Sequence, residues 1–380
     1  MKILVVGVSV RAMVESAVSS RYRVVALDAF GDQDLRAMAE SYSLPRDFGI
    51  PYSASALYEA SRKLAFDAVV YTSGLENHPK ILDRFAGNCS VIGNSPEAVR
   101  SVRNWPDLFS RLRRAGFSVP ETIFPGDGHD FDFSRRWLIK PLLSGGGHGI
   151  SLLEEKAFPG ERQMLQQYIP GKPCSASFVA NDDESVVIGI AEQLIGMPQF
   201  GVCRFRYCGN ILPLPEMLCP DTSRTILEQV RRTARFLARE YHLTGVNGFD
   251  FILDGDQVWL TEVNPRYSAS MELIERAYGL SVFHLHVQAA VDKRIPEFEL
   301  ESALNGAKFF GKSILFCERD CAAPELQDWR SRDLRDIPVP GGKIRRGNPI
   351  CTILTSGSNY NETLAGLIRQ ARMLREHING

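Results

Sequence analysis

A lysine followed by a glycine-rich loop stands in the segment WLIKPLLSGGGHGI, residues 137–150. Lysine is a compact positive charge suited to phosphate oxygens, and glycines let backbone N–H groups approach an anion without interference from a Cβ atom. The pattern is not a P-loop, because no Gly-Lys-Ser/Thr follows the glycines. Alone, it fits a phosphate site or a flexible surface loop equally well. The phosphate-binding candidates are Lys140, Ser144, Gly145, Gly146, Gly147 and His148.

Residues with side-chain oxygens that could bind a metal ion lie on a predicted β-hairpin. Its strands are GVNGFDFIL and QVWLTEVN, and the Asp-Gly turn between them is a strong hairpin signal. Glu262 and Asn264 are two residues apart, so their side chains point to one face of the strand. Asp250 lies on the first strand and is expected opposite them. Such oxygens suit Mg²⁺, or Mn²⁺, when nucleotide phosphates complete the coordination shell.

Arg266 follows the hairpin in the motif EVNPR and shares its face if the strand continues. Its guanidinium group is suited to holding a transferring phosphoryl group through two hydrogen bonds. A solvent-exposed hairpin of mixed charge is the alternative. It is disfavoured because Trp259, Leu260 and Val263 indicate a buried strand, where carboxylates need a partner.

The first 100 residues alternate strand and helix patterns, which predicts an open parallel sheet covered by helices. The turn after the first strand lacks GxGxxG, so NAD binding is not expected. The loop YTSGLENHP follows the third strand, and ligands bind at the carboxyl ends of such strands. Ser73, Glu76 and Asn77 are therefore candidates for the acceptor-substrate site, although a plain surface loop is an equal alternative.

Further elements are expected along the rest of the chain. Hydrophobic periodicity and end signals predict strands at 137–140, 149–153, 164–168, 176–180, 186–192 and 308–316. They predict helices at about 105–115, 221–241, 270–278, 281–291 and 361–375. Arg204 lies on another probable strand, where it either binds a substrate anion or is solvated.

The order of KP, SGGGHG, QQYIPG, GVNGFDF and EVNPR, within about residues 95–290, resembles the ATP-grasp superfamily. The resemblance implies an α/β and α+β protein: an N-terminal open parallel-sheet domain, then a two-lobed ATP-grasp fold, then a small C-terminal β extension. We place these units at residues 1–95, 96–300 and 301–380. The lid lobe is expected at about 119–180 and the metal-binding lobe at about 181–300.

The resemblance also assigns roles to individual positions. Lys140 would contact ATP phosphates, the glycine loop would form the lid, and Arg266 would stabilise the transferring phosphate. Asp250, Glu262 and Asn264 would bind Mg²⁺. The adenine hinge and the ribose contact would be formed by Gln166, Gln167, Tyr168, Ile169 and Ser175.

Two positions depart from the family pattern. A lysine usually stands at the start of the first helix of the ATP unit, whereas this chain has Arg103 and Asn104. A glutamate usually follows the hinge to bind ribose, whereas this chain has Cys174 and Ser175. Both departures concern nucleotide affinity more than the type of reaction.

Composition narrows the function classes. The 380 residues carry a net charge of −1, which argues against a nucleic-acid partner. No run approaches the ~18 apolar residues of a membrane helix, and the N-terminus is a poor signal peptide, so a cytoplasmic protein without a membrane partner is expected. The eight cysteines form no CxxC pair and are interpreted as reduced thiols.

The leading hypothesis is a carbon–nitrogen ligase that forms an acyl phosphate from a carboxylate substrate and joins it to an amine, with release of ADP and phosphate. The motif style also resembles the tyramine–glutamate ligases of methanofuran synthesis. A purine-type ATP-dependent carboxylase or formyltransferase is one alternative. A non-catalytic nucleotide-binding protein is another, and a homodimer is a family-level expectation.

Overall fold

The N-terminal part of the chain is a parallel α/β layer, as predicted. The computed structural model describes residues 1–127, 132, 134–154, 160–326, 328–329 and 331–379. Its first sheet is parallel, in the order β3-β2-β1-β4-β5, and each apolar run forms a buried strand. The strands are β1 Lys2–Val6, β2 Arg23–Asp28, β3 Glu40–Ser43, β4 Ala68–Tyr71 and β5 Ser90–Val91. Its helices are α1 Arg11–Ser19, α2 Gln33–Met38, α3 Leu44–Asp47, α4 Ala54–Ser61 and α5 Pro79–Ala86, with a 3₁₀ turn at Leu75–Asn77.

Two helices lead into a small antiparallel sheet. The first begins after Ser95, whose hydroxyl accepts a hydrogen bond from the Ala98 amide at 3.1 Å and caps the helix. The helices are α6 Pro96–Val102 and α7 Trp105–Arg114. The sheet has the order β6-β9-β7-β8 and consists of β6 Thr122–Ile123, β7 Trp137–Pro141, β8 Ser151–Leu152 and β9 Gln163–Gln167. β8 is shorter than the strand predicted at 149–153.

An eight-stranded antiparallel sheet forms the centre of the molecule, in the order β14-β13-β10-β11-β12-β15-β19-β17. Its strands are β10 Lys172–Asn181, β11 Ser185–Ile195, β12 Tyr207–Leu212, β13 Thr244–Asp254, β14 Gln257–Asn264, β15 Phe309–Phe316, β17 Leu334–Arg335 and β19 Pro349–Gly357. A separate pair is formed by β16 Cys321–Ala322 and β18 Lys343–Ile344. The hydrogen-bonded sheet thus runs across residue 300, since β12 pairs with β15. The division into domains itself stays a prediction.

Helices cover the central sheet and join it to the N-terminal sheet. They are α8 Pro220–Tyr241, α9 Met271–Tyr278, α10 Val282–Val287, α11 Leu300–Leu304 and α12 Tyr360–Asn379, with a π-helical turn at Gln288–Asp292 and 3₁₀ turns at Pro198–Phe200 and Pro215–Leu218. Val10 and Met13 of the N-terminal layer pack in one apolar cluster with Ile274 and Val282. This cluster fixes the first loops of the chain beside the central sheet.

His286 has a structural role. It is buried between the two sheets, where its Nδ1 accepts from the Val246 amide and its Nε2 donates to the Ile92 carbonyl, both at 3.0 Å. Burial lowers its pKa to about 4, so the ring is neutral. In the described part of the chain, none of the helices combines the length and apolar character needed to cross a bilayer.

Candidate active site

One cleft of about 560 Å³ collects most of the residues singled out in the sequence. It lies against the face of the central sheet, and the small sheet and the N-terminal loops form its other walls. The predicted residues that line it are Lys140, Gly145, Gly146, Gly147, Gln166, Gln167, Tyr168, Ile169, Ser175, Asp250, Glu262, Asn264, Arg266, Ser73 and Arg204. Four others do not border this cleft: Ser144, His148, Glu76 and Asn77.

The predicted metal ligands lie together on the β13–β14 hairpin. Asp250 is paired directly with Glu262, and Gly248 with Asn264, so all three side chains share one face. The Asn264 amide donates to Asp250 Oδ2 at 3.3 Å. Burial, reinforced by the charge of Glu262, raises the pKa of Asp250 to about 7.

This arrangement fits a hard divalent cation, because two close, partly desolvated carboxylates are stabilised by a positive charge between them. The described residues contain no group of three or more His, Cys, Asp or Glu side chains placed to bind a metal. Asp250, Glu262 and the amide oxygen of Asn264 would therefore need oxygens from a bound phosphate to complete a shell.

Arg266 is held in a fixed orientation at the edge of this face. Its Nε donates to Glu76 Oε1 at 2.7 Å, its Nη2 to Asn264 Oδ1 at 3.0 Å and its Nη1 to the Tyr267 carbonyl at 2.9 Å. The Glu76 carboxylate belongs to the N-terminal layer and is buried. In this structure Glu76 is the counter-charge of Arg266. A contact between Glu76 and an acceptor substrate stays a prediction.

Arg103 occupies the region where the family resemblance expects a lysine. Its Nη1 donates to Glu262 Oε1 at 3.0 Å, and its Nη2 donates to the side-chain oxygen of Asn77. The guanidinium group lies 4.3 Å from the centre of the Trp105 ring. Asn104, by contrast, is exposed. Arg103 is thus the cation of this segment that reaches the metal face, which is the face of the hairpin that carries Asp250, Glu262 and Asn264.

Lys140 lies across the cleft from the carboxylates. Its Nζ donates to Gln166 Oε1 at 2.6 Å. Burial lowers the pKa of Lys140, while Glu262 and Asp250 act in the opposite direction. A partly buried ammonium group near two carboxylates is well placed to hold the phosphates of a metal-bound nucleotide.

The glycine loop is docked on the segment that precedes β12. The Tyr207 amide donates to the Gly146 carbonyl at 3.1 Å, and Arg206 Nη1 lies 3.1 Å from His148 Nδ1. A Cβ atom at Gly147 would lie 1.8 Å from the Phe205 carbonyl oxygen, and its φ is +72°. Close approach therefore requires glycine at position 147. His148 faces Arg206 rather than the cleft.

The predicted hinge follows β9 at the wall of the cleft. The amides of Gln167 and Tyr168 are engaged by the carbonyls of Glu121 and Arg136, both at 2.8 Å. The amide of Ile169 finds no acceptor among the described residues. It is therefore the hinge donor that remains open to a base edge.

Strand alternation separates the two residues that replace the usual ribose ligand. Cys174 is fully buried in the core of the central sheet, while Ser175 lines the cleft directly opposite Asp250 in the register. Only Ser175 can therefore contact a ligand there. The predicted strand at Arg204 is wrong, because this residue lies in an exposed turn before β12 with a left-handed φ of +57°.

Several cleft residues were not anticipated from the sequence because no local motif marks them. They are Ser9, Arg11, Thr72, Gln193, Tyr207, Asn210, Thr261, Ser268, Ser270, Lys312, Asp336 and Thr352. One signal was available: Lys312 interrupts the apolar strand KFFGKSILF, and a lysine inside such a run needs a polar neighbour.

Two protein relatives cover different extents of the chain. An uncharacterised protein of Methanocaldococcus jannaschii is 25% identical over 374 residues, covering 93% of this chain and 88% of the relative. A formate-dependent phosphoribosylglycinamide formyltransferase of Anaeromyxobacter dehalogenans is 24% identical over 221 residues, covering 55% of this chain and 52% of the relative. The match thus spans about half the length of the second relative.

Solved structures share the fold over nearly the whole chain. A biotin carboxylase from Campylobacter jejuni superposes with a TM-score of 0.70 at 14% identity, covering 96% of this chain and 89% of that one. An L-amino acid ligase from Bacillus licheniformis superposes with a TM-score of 0.68 at 16% identity, covering 99% and 97%. Residues 104–270 match the family model of the ATP-grasp domain. The chain therefore carries an ATP-grasp domain at residues 104–270.

Proposed function

We propose that the protein is an ATP-dependent ligase that activates a carboxylate as an acyl phosphate and joins it to an amine. The observation that carries the proposal is the convergence of Asp250, Glu262, Asn264 and Arg266 on one face, with Lys140 and the glycine loop across the same cleft. These are the groups that positioning and charge stabilisation in phosphoryl transfer require.

Each side chain has a distinct task in this proposal. Bound Mg²⁺ and ATP would supply the phosphoryl group and neutralise its charge. Asp250, Glu262 and Asn264 would hold the metal, while Lys140 would contact the phosphates. Arg266, fixed by Glu76 and Asn264, would stabilise charge on the transferring group and on the acyl phosphate. No covalent enzyme intermediate is required.

The comparisons support ligation in general but do not select the acceptor. One structural neighbour is named an amino acid ligase, and it shares the fold at 16% identity. Within this class, tyramine–glutamate ligation remains one specific hypothesis. It would be rejected if the purified protein failed to turn over ATP with glutamate plus tyramine or tyrosine.

ATP-dependent formylation or carboxylation is a second candidate, favoured by the formyltransferase relative. It shares the activation of a carboxylate and differs in the groups that are joined. Release of ADP that depends on formate or bicarbonate would favour this candidate, whereas release that depends on an amine together with a larger acid would favour ligation.

The first experiment is a calorimetric titration with a non-hydrolysable ATP analogue, with and without Mg²⁺. We expect micromolar binding that strengthens with Mg²⁺, because the two close, partly buried carboxylates repel phosphate oxygens unless a cation lies between them. A substrate screen by ADP release would follow. Absence of binding in both conditions would instead favour a non-catalytic protein whose nucleotide site is disabled.

A further inference from the structure

The cleft continues past Arg266 to a second end that the proposed chemistry does not use. This far end is lined by Ser9, Thr72, Ser270, Lys312, Asp336 and Thr352. These residues belong to the N-terminal loops, the start of α9 and the C-terminal strands. The far end is thus formed where three distant parts of the chain meet.

Lys312 is a buried cation with unused hydrogen-bond donors at this end. It lies on β15 opposite Asn210, and its side chain is 6% exposed. Its Nζ donates to Glu272 Oε2 at 2.5 Å and has no second acceptor among the described residues. An ammonium group carries three donors, and a buried charge is costly unless it is fully paired. A ligand that accepts from Lys312 would remove this deficit.

Arg11, the other cation at the far end, has no donor to spare. Its Nε and Nη2 donate to Asp336 at 3.0 and 3.1 Å, and its two Nη atoms also donate to Glu15 and Glu272. Arg11 therefore pairs with Asp336, Glu15 and the nearby Asp34, and it shares Glu272 with Lys312. Its role is to join α1, α9 and the C-terminal segment, which leaves Lys312 as the cation available to a ligand.

Lys312 at the far end and Asp250 on the metal face lie on strands that are well separated across the central sheet. The order β13-β10-β11-β12-β15 places Lys312 four strands from Asp250, roughly 19 Å across the sheet at ~4.8 Å per strand. An anion at Lys312 is therefore not a phosphate of a nucleotide whose metal is held at Asp250. Arg266 and Lys312 both line this cleft, so their side chains face the same space.

We infer that Lys312 binds a second anionic group of the acid substrate, so that the substrate is a dicarboxylic acid or an acidic amino acid. One carboxylate is anchored at Lys312 and the other is presented to Arg266. This inference rests on the proposed ligase function, since it assigns the substrate of the same cleft.

The test compares acids that differ in one carboxylate. Glutarate, L-glutamate and butyrate are titrated by calorimetry into protein saturated with Mg²⁺ and a non-hydrolysable ATP analogue. We expect the tighter of the two diacids to bind at least ~10-fold better than butyrate, which is the order of one charge-assisted contact. In Lys312→Met this preference should disappear, while Lys312→Arg should retain part of it.

Controls separate this inference from the proposed function. Lys308→Met removes an exposed lysine just before the same strand and should behave as the wild type. Lys312→Met should fold, because Arg11 still pairs with Glu272. Equal binding of diacids and butyrate, no binding of any diacid, or an unchanged preference in Lys312→Met would overturn the inference. If the ATP analogue does not bind, the proposed function fails, and the same titrations without nucleotide still test Lys312.

Discussion

The two ends of the cleft use charge in different ways. At the end of the cleft proposed to bind the nucleotide, Asp250 is a partly buried carboxylate paired with Glu262 across the hairpin, and desolvation and the charge of Glu262 raise its pKa to about 7 despite the nearby Arg266. At the far end, Arg11 and Lys312 outweigh the effect of burial and lower the pKa of Glu272. The first end is therefore suited to binding a metal ion. At the second end the charged side chains already pair with one another, and only Lys312 keeps unused hydrogen-bond donors.

The two ends also differ in how they are assembled. The metal face comes from one hairpin, whose register places its side chains together locally. The far end depends on contacts between Arg11, Glu272, Lys312 and Asp336, which are separated by up to 325 residues. A change at the first end should therefore affect chemistry, while a change at the second should affect substrate choice and the docking of segments.

The largest effect is expected from removing the Glu262 carboxylate, which pairs with Arg103 and is a proposed metal ligand. Glu262→Gln should lower the rate of ADP release by about 10³-fold or more, because the metal that neutralises phosphoryl transfer loses a charged ligand. Circular dichroism should show an intact fold. Asp254→Asn, an exposed change at the end of the neighbouring strand β13, serves as the control. Activity retained in Glu262→Gln would refute the metal assignment.

Replacing the lysine at each end should separate nucleotide binding from substrate binding. Lys140→Met should weaken binding of the ATP analogue by about 100-fold, because a buried ammonium contact with phosphate is lost. Lys312→Met should leave that affinity within about twofold of the wild type. Calorimetry with the Mg²⁺-bound analogue measures both. If the two variants weakened the nucleotide equally, the distinction between the ends would be wrong.

A smaller effect is expected from the N-terminal residue that orients Arg266. Glu76→Gln removes the charge that faces the Arg266 Nε, so kcat should fall about 10- to 30-fold while nucleotide affinity changes little. The exposed Glu59→Gln is a matched control. A rise in KM at unchanged kcat would instead support a direct contact between Glu76 and the acceptor.

The smallest effect is a change with pH in the free energy of unfolding, at the contact between α1 and α9 beside the far end. Glu275 of α9 accepts from the Ser16 hydroxyl of α1 and from the Val282 amide, and burial raises its pKa to about 7. Because the folded-state pKa lies above the ordinary value, this group's contribution to stability is complete below about pH 4.5 and is lost as pH rises through 7. Between pH 6 and 7.5 the loss should be about 1 kcal/mol.

Urea unfolding of the wild type and Glu275→Gln at both pH values measures this contribution. The variant keeps an oxygen acceptor but does not ionise, so its free energy of unfolding should vary less with pH. The same pH dependence in both proteins would show that Glu275 does not titrate in this range.

The sequence alone determined the local parts of the nucleotide end. Alternation along a strand put Glu262 and Asn264 on one face, and the Asp-Gly turn set them against Asp250, because register over a short hairpin follows from the turn and the apolar pattern. The parallel N-terminal sheet and the long helix α8 were also predicted, because their hydrophobic periodicity is a local property of the sequence. The order of these motifs also predicted the ATP-grasp domain that residues 104–270 match.

Only the tertiary structure decided which distant segments meet. No periodicity indicates that Glu76 is the counter-charge of Arg266, that Arg103 reaches Glu262, or that strands beyond residue 300 extend the central sheet. Such contacts depend on how whole layers dock through their apolar faces, and a lone lysine in a strand does not specify its partner. The face proposed to bind the metal is therefore set locally, whereas the pocket proposed to select the substrate is a product of long-range packing.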